Sequence, residues 1–270
     1  MDEPSISDRE FAQFRDLLHR LTGIHLAPSK KPLLCGRLGR RLRSRSLRSY
    51  DDYYALLTSG RDPRELETCV NLLTTNETYF FREPRHFDFL RDQVLPSYKS
   101  GRPFRAWSAA CATGEEAYSI AMLAASQLGT DAQWEVFGSD INSAVLATAT
   151  RGQYPIERAE KIPNDYLRQF CLKGVGSQAG TFMVDASLRS HLRFSRVNLN
   201  QALPQVGDFD VIFLRNVLIY FQPAVKREVV ARLVGRLKSN GFLVVGHSES
   251  LHGVSDALRP RAPTVYCRAA

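Results

Sequence analysis

The segment Trp107-Ser-Ala-Ala-Cys-Ala-Thr-Gly-Glu-Glu-Ala-Tyr-Ser119 joins an apolar run to a helical pattern, and every residue from Ala109 to Gly114 is small. A small-residue turn between strand and helix lets a ligand approach backbone N–H groups at a helix N-terminus. Dinucleotide sites place glycines there to admit a pyrophosphate. Here two acids, Glu115 and Glu116, open the helix; they repel a pyrophosphate and suit a cationic or neutral ligand with donor groups. S-adenosylmethionine has that character: a sulfonium, an α-amine and an adenosine, with no phosphate. The competing reading of the same residues is a tight turn whose acids only offset the helix dipole.

A further carboxylate, Asp140, ends the run WEVFGSD (134–140), near the ~20-residue offset at which an acid holds ribose hydroxyls. Alone it could equally be the cap of the helix that follows. Polar residues also follow two other apolar runs: Asn198-Leu199-Asn200 after HLRFSRV, and Arg215-Asn216 after FDVIFL. Ligands of open α/β sheets bind outside the carboxyl ends of the strands. Arg215 fits such a site, or a single salt bridge. Tyr220 could be packing, though a buried hydroxyl needs a partner. The stretch Leu73–Arg82 interleaves threonines and an asparagine with aromatics; it reads as a pinned loop or as a polar lid with Arg82 reaching the site. Gly246-His-Ser-Glu-Ser250 misses the second glycine of a nucleophile elbow. The six histidines lack HExxH spacing, so no metal is expected, and no Walker A sequence occurs.

These residues need elements to hold them. Residues 5 to about 75 read as helical throughout. Ser7 and Glu10 form a capping box before Phe11, Phe14, Leu17, Leu18 and Leu21, and Gly23 ends the run. A second helix follows Pro32, with Leu33, Leu34, Leu38 and Leu42 on one side. A third, capped by Ser49, turns Tyr53, Leu56 and Leu57 inward until Gly60. A fourth starts near Pro63 and carries Leu66, Val70 and Leu73. Each buries one stripe, which predicts a small antiparallel bundle over 1–75. From 76 to 270 the pattern changes to apolar runs at 104–110, 134–140, 191–197, 209–215 and 241–247, with helical stretches at 115–128 and 223–238 between them. That alternation predicts a doubly wound α/β sheet. A Gly- and Ser-rich interruption at about 171–190 predicts a small antiparallel insertion.

Composition sets outer limits. With 44% hydrophobic and 24% charged residues the chain has the makings of a globular core. No apolar run reaches the ~18–20 residues of a spanning helix, and no secretory leader is visible, so a cytoplasmic protein with no membrane insertion is expected. Five scattered cysteines without a CxxC pair favour a reducing setting. The net charge of +8 is concentrated between Pro28 and Tyr50, which hold Lys30, Lys31, Arg37, Arg40, Arg41, Arg43, Arg45 and Arg48 and no acid. Such a stripe attracts an anionic partner or is a solvated helix face.

Taken together, LLTTNETYFFRE (72–83), WSAACATGEEAYSIA (107–121), FDVIFLRNVLIYF (209–221) and GFLVVGHSES (241–250) resemble the chemotaxis receptor methyltransferases of the CheR family in content, order and spacing. The resemblance implies a Rossmann-like methyltransferase sheet with a small all-helical N-terminal domain and a small antiparallel β-subdomain. It implies transfer of a methyl group from S-adenosylmethionine to glutamates on the cytoplasmic helical bundle of chemoreceptors, leaving S-adenosylhomocysteine. By position, Asn76, Thr78, Arg82, Glu116, Asp140, Asn198, Leu199, Arg215 and Asn216 would bind the cofactor, Glu115 being a second candidate beside Glu116. Arg82 and Tyr220 would lie nearest the transferred methyl. Arg37, Arg40, Arg41, Arg43, Arg45 and Arg48 would face the receptor. The insertion resembles the family's β-subdomain, which in some members grips a peptide at the receptor's C-terminus. Ala117 stands where the family usually has proline. A glutamate carboxylate, with an ordinary pKa near 4.3, is already ionised at neutral pH, so the chemistry needs alignment and no general base. Three competing readings remain at this level. An RNA methyltransferase would need aromatics among the arginines for stacking bases, and no nucleic-acid partner is expected without them. A non-enzymatic binder would not need Arg82, Asp140, Arg215 and Tyr220 together. An NAD-dependent enzyme is disfavoured by the acid pair.

Overall fold

The structure is a computed structural model that describes residues 5–98 and 102–269; the outermost residues of the two sequence-predicted regions, Met1–Pro4 and Ala270, lie outside these, as do Lys99–Gly101. It divides into two compact units. One comprises the described residues up to Thr75 together with Tyr220–Val225, and the other Asn76–Ile219 with the chain from Lys226 onward.

The first unit is built from α1 (Asp8–Thr22), α2 (Lys31–Ser44), α3 (Tyr50–Thr58) and α4 (Pro63–Leu73). Their starts are fixed locally. Ser7 and Glu10 make the reciprocal capping box, and Ser49 and Asp62 accept backbone N–H groups at the starts of α3 and α4. Gly23 ends α1 at φ 77°, a left-handed position that suits glycine. Leu34, Leu38 and Leu42 are fully buried, as are Tyr50 and Tyr53, whose rings pack on Phe14 at 6.1 Å. Leu33 and Leu56, expected to face inward, are only half-buried, because the stripe of each helix is narrower than its count of leucines. The 220–225 segment pairs Phe221 with Ile24, and the Tyr220 carbonyl accepts from His25 N–H at 2.8 Å.

The second unit contains helices α5 (Pro84–Phe89), α6 (Glu115–Leu128), α7 (Ser143–Arg151), α8 (Asn164–Phe170), α9 (Ala186–Arg189) and most of α10 (Pro223–Val234). Its strands are β1 (Phe104–Ser108), β2 (Trp134–Asp140), β3 (Gln153–Pro155), β4 (Cys171–Lys173), β5 (Thr181–Val184), β6 (Leu192–Arg196), β7 (Phe209–Leu214), β8 (Leu237–Val245), β9 (Leu258–Ala262) and β10 (Val265–Arg268). Seven form one sheet in the order β6-β2-β1-β7-β8-β10-β9. The pairs among β6, β2, β1, β7 and β8 are parallel, and β10 is antiparallel to β8 and β9. β1, β2 and β7 are buried almost without interruption, as strands covered on both faces must be. The chain runs outward from β1 to β2 and β6, then returns to β7 and β8 on the other side. The carboxyl ends of β1 and β7 therefore border the point where strand order reverses, where such sheets hold ligands.

Two details differ from the sequence reading. The last helix ends at Val234 rather than 238, because Leu237 is fully buried in β8 and Lys238 pairs with Asp210 at 2.8 Å. The small antiparallel sheet, β3-β5-β4, recruits Gln153–Pro155 from well before 171. A three-residue strand ending in proline carries too little pattern to be read locally.

Candidate functional site

The turn after β1 is pinned before it reaches α6. Ala109 N–H donates to the Phe213 carbonyl, Cys111 N–H to the Ser139 carbonyl, and the Tyr154 hydroxyl to the Thr113 carbonyl. Ala112 and Gly114 take positive φ, 47° and 99°. At Gly114 a Cβ would stand 2.8 Å from that of Ala149, so both conformation and space require glycine. The result is a bend whose Ala112 N–H donates to Asp140 Oδ2 at 2.9 Å. Asp140 is 8% exposed, and its other oxygen accepts from Asn142 N–H. Burial raises its pKa, because these backbone donors only partly replace lost water. When ionised, it has lone pairs to spare for further donors.

Across the reversal point, Arg215 is buried at the end of β7 with its side chain 1% exposed. Nη1 donates to Glu116 Oε2 at 3.0 Å, while Nη2 donates to the Arg82 carbonyl and lies 3.1 Å from Glu83 Oε2. The guanidinium stacks near Phe87 and Phe213 at 5.6 and 6.0 Å. Its Nε is buried without a hydrogen-bond partner among the described residues. Glu116 also accepts from Ser108 Oγ at 2.6 Å, and burial raises its pKa despite Arg215. Burial acts on Glu83 as well, but Arg215 and Asn216 outweigh it and hold that carboxyl below the usual range. Arg215 is thus tied by more than the single salt bridge its sequence position suggests. The two acids of the helix start separate: Glu115 turns to Thr113 and lies 3.5 Å from Arg158, whereas Glu116 joins Arg215.

Asn216, at φ 57°, is held by a residue the sequence reading dismissed with its motif. Buried Glu249 accepts from Asn216 N–H at 2.8 Å, from Gly246 N–H at 2.7 Å and from Ile219 N–H at 3.3 Å. Ser108, Glu83 and Glu249 stand inside three of the stretches that carry the resemblance, but their types and local spacing alone assign them no role.

In the lead-in segment Asn76 is half-buried, and Thr78 is buried with its carbonyl accepting from Arg158 Nη1. Arg82 donates from Nη1 to the Glu77 carbonyl and lies 5.8 Å from the Tyr79 ring centre. Beyond β6, Asn198 accepts from Asn200 N–H, and buried Leu199 offers an apolar surface with its carbonyl on Arg232. Tyr220 belongs to the helical unit. The basic stripe is divided. Arg37 donates to the carbonyls of Leu73 and Thr74, Arg41 to buried Glu65, and Arg45 to Asp62. These three hold α2 to α4. Arg40, Arg43 and Arg48 are exposed, and Arg40 and Arg48 have no ion-pair partner among the described residues.

Residues 76–267 match the family described as CheR methyltransferase, SAM binding domain, and residues 9–74 match the CheR methyltransferase all-alpha domain. The chain belongs to the CheR methyltransferase family. It is 42% identical over 259 residues to chemotaxis protein methyltransferase 2 of Pseudomonas aeruginosa, covering 95% of this chain and 92% of that one. Against the chemotaxis protein methyltransferases of Escherichia coli and Salmonella typhimurium, identity is 39% and 36% over 264 residues, covering 97% of this chain and 91% of each. As a member of the CheR family it takes S-adenosylmethionine as cofactor. The residues present suit that molecule: desolvated carboxylates at Asp140 and Glu116 answer hydroxyl and ammonium donors, and an open buried donor at Arg215 answers an acceptor. No helix is long and apolar enough to cross a membrane among the described residues.

Proposed function

We propose that this methyltransferase acts in the cytoplasm on glutamate side chains of the helical bundle of chemoreceptors, making glutamyl methyl esters. The observation that carries the reading is the gathering of Asp140, Glu116 and Arg215 at the reversal point of a CheR-family sheet. Asp140 would take the ribose hydroxyls and Glu116, rather than Glu115, the amine, since only Glu116 is turned toward Arg215. Asn198 and Leu199 would border the adenine, and Asn76, Thr78 and Asn216 would complete the pocket. Bound there, the sulfonium supplies an electrophilic methyl group. Arg82 uses one nitrogen on the Glu77 carbonyl and keeps donors for a carboxylate, so it would orient the acceptor, with Tyr220 as its partner in that task. The acceptor is already ionised at neutral pH, and no base has to be found.

Arg40 and Arg48, with Arg43, would meet the acidic receptor helices. The small sheet would offer its edge strand β4 to an extended receptor tail, flanked by the exposed side chains of Leu172 and Val175. Incubation with radiolabelled S-adenosylmethionine and receptor-containing membranes should place base-labile label on a receptor band. Arg82→Ala and Tyr220→Phe should each cut turnover by about 100-fold or more, in the range of lost positioning contacts. Label confined to RNA, or full turnover in both variants, would contradict the proposal.

A further inference from the structure

Glu83, His86 and His247 bring one carboxylate oxygen and two ring nitrogens within 4.8 Å of one another. Glu83 precedes α5, His86 lies in it, and His247 follows β8, so the fold gathers them from opposite ends of the unit. His86 is 2% exposed, and its Nε2 lies 2.7 Å from Thr264 Oγ1. The same hydroxyl lies 2.7 Å from the Pro263 carbonyl, and when it donates there the ring donates to it from Nε2. Nδ1 then presents a lone pair. It is buried, has no hydrogen-bond partner among the described residues, and stands 3.4 Å from Glu83 Oε2. Two lone pairs facing each other repel, and a cation between them removes the conflict. Their separation is close to a tetrahedral edge for ligands at about 2.0–2.1 Å from an ion. A histidine fixed through one nitrogen and open at the other is the usual arrangement of a metal ligand.

We propose that Glu83, His86 and His247 form a binding site for a divalent transition ion of the zinc class, a set of one carboxylate and two imidazoles that suits such ions. The exposed His247 ring, 5.0 Å from that of His86, closes the site by a side-chain rotation and leaves the fourth position to water. The ion shares its carboxylate. Glu83 Oε2 also accepts from His247 N–H at 3.2 Å and faces Arg215 Nη2, while Oε1 accepts from Asn216 Nδ2. Metal and guanidinium thus compete for Glu83, and occupancy should loosen the Arg215 bridge.

Chelator-treated protein titrated with Co²⁺ should take up one ion with the intense visible absorption of tetrahedral cobalt, and Zn²⁺ should displace it. His247→Ala removes an exposed side chain and should leave the metal-free melt unchanged while weakening uptake about tenfold or more. His86→Gln should abolish the band. A wild-type protein that shows no such band overturns the site, and so does a His247→Ala protein that binds Co²⁺ as tightly as wild type.

Discussion

Glu65 in the helical unit and Asp140 in the sheet unit are both buried carboxylates, 2% and 8% exposed, yet their ionisation is pushed in opposite directions. Glu65 accepts from Arg41 and from the Tyr53 hydroxyl, with Arg45 at 3.6 Å, and Arg41 above all holds its pKa down. Among the described residues Asp140 has only backbone N–H donors, and desolvation drives its pKa up. The first charge is answered within the chain and serves to lock α2, α3 and α4. The second is kept underpaired at the sheet's reversal point, where a ligand can answer it. A buried carboxylate without its own cation is the better mark of a binding site.

Removing the locked charge should have the larger effect. Glu65→Ala leaves Arg41 and Tyr53 without their buried acceptor and should cost about 3 kcal/mol of stability, the range for breaking one side of a buried pair; thermal or urea unfolding reads it. An effect below about 0.5 kcal/mol would place the network among surface pairs. A pH series then separates the two carboxylates. Glu65 ionises more readily folded than unfolded, so the unfolded state binds more protons and its contribution, complete above the ordinary carboxylate value, disappears as pH falls through the lowered folded one. Asp140 has the opposite sign. Its raised folded pKa means affinity for a ligand that needs the anion should climb as pH rises through that value. Parallel pH profiles for unfolding and ligand binding would erase the contrast. The smallest effect concerns the exposed arginines. Arg40→Glu with Arg48→Glu should raise the KM for receptor a few-fold at low salt and leave that for S-adenosylmethionine unchanged, the difference shrinking as salt screens it.

Much of this architecture is legible in the residues, for physical reasons. β1, β2 and β7 read correctly because strands buried on both faces must be continuously apolar. The capping box of α1 read correctly because it is made within four residues. Asp140 and the small turn could be paired by a known offset along the chain. What stayed hidden is what the chain brings from afar. Arg215 reaches the Arg82 carbonyl across 133 positions, and Glu249 reaches Asn216 across 33. The basic stripe misled in part because the acids that engage Arg41 and Arg45, Glu65 and Asp62, lie outside the acid-free window and only packing brings them back. A glutamate and two histidines 164 positions apart at the extremes form no motif at all.

Calorimetric titration of S-adenosylhomocysteine into wild-type protein and Asp140→Asn, each checked for its fold by circular dichroism, addresses the underpaired carboxylate itself. Wild type should bind one equivalent, and the variant should bind about 10- to 100-fold more weakly, as expected for losing charge-assisted hydrogen bonds worth about 1.5–3 kcal/mol. Equal affinity in the two proteins would mean that the buried charge at the end of β2 is structural, as Glu65 is, and that the ligand is held elsewhere.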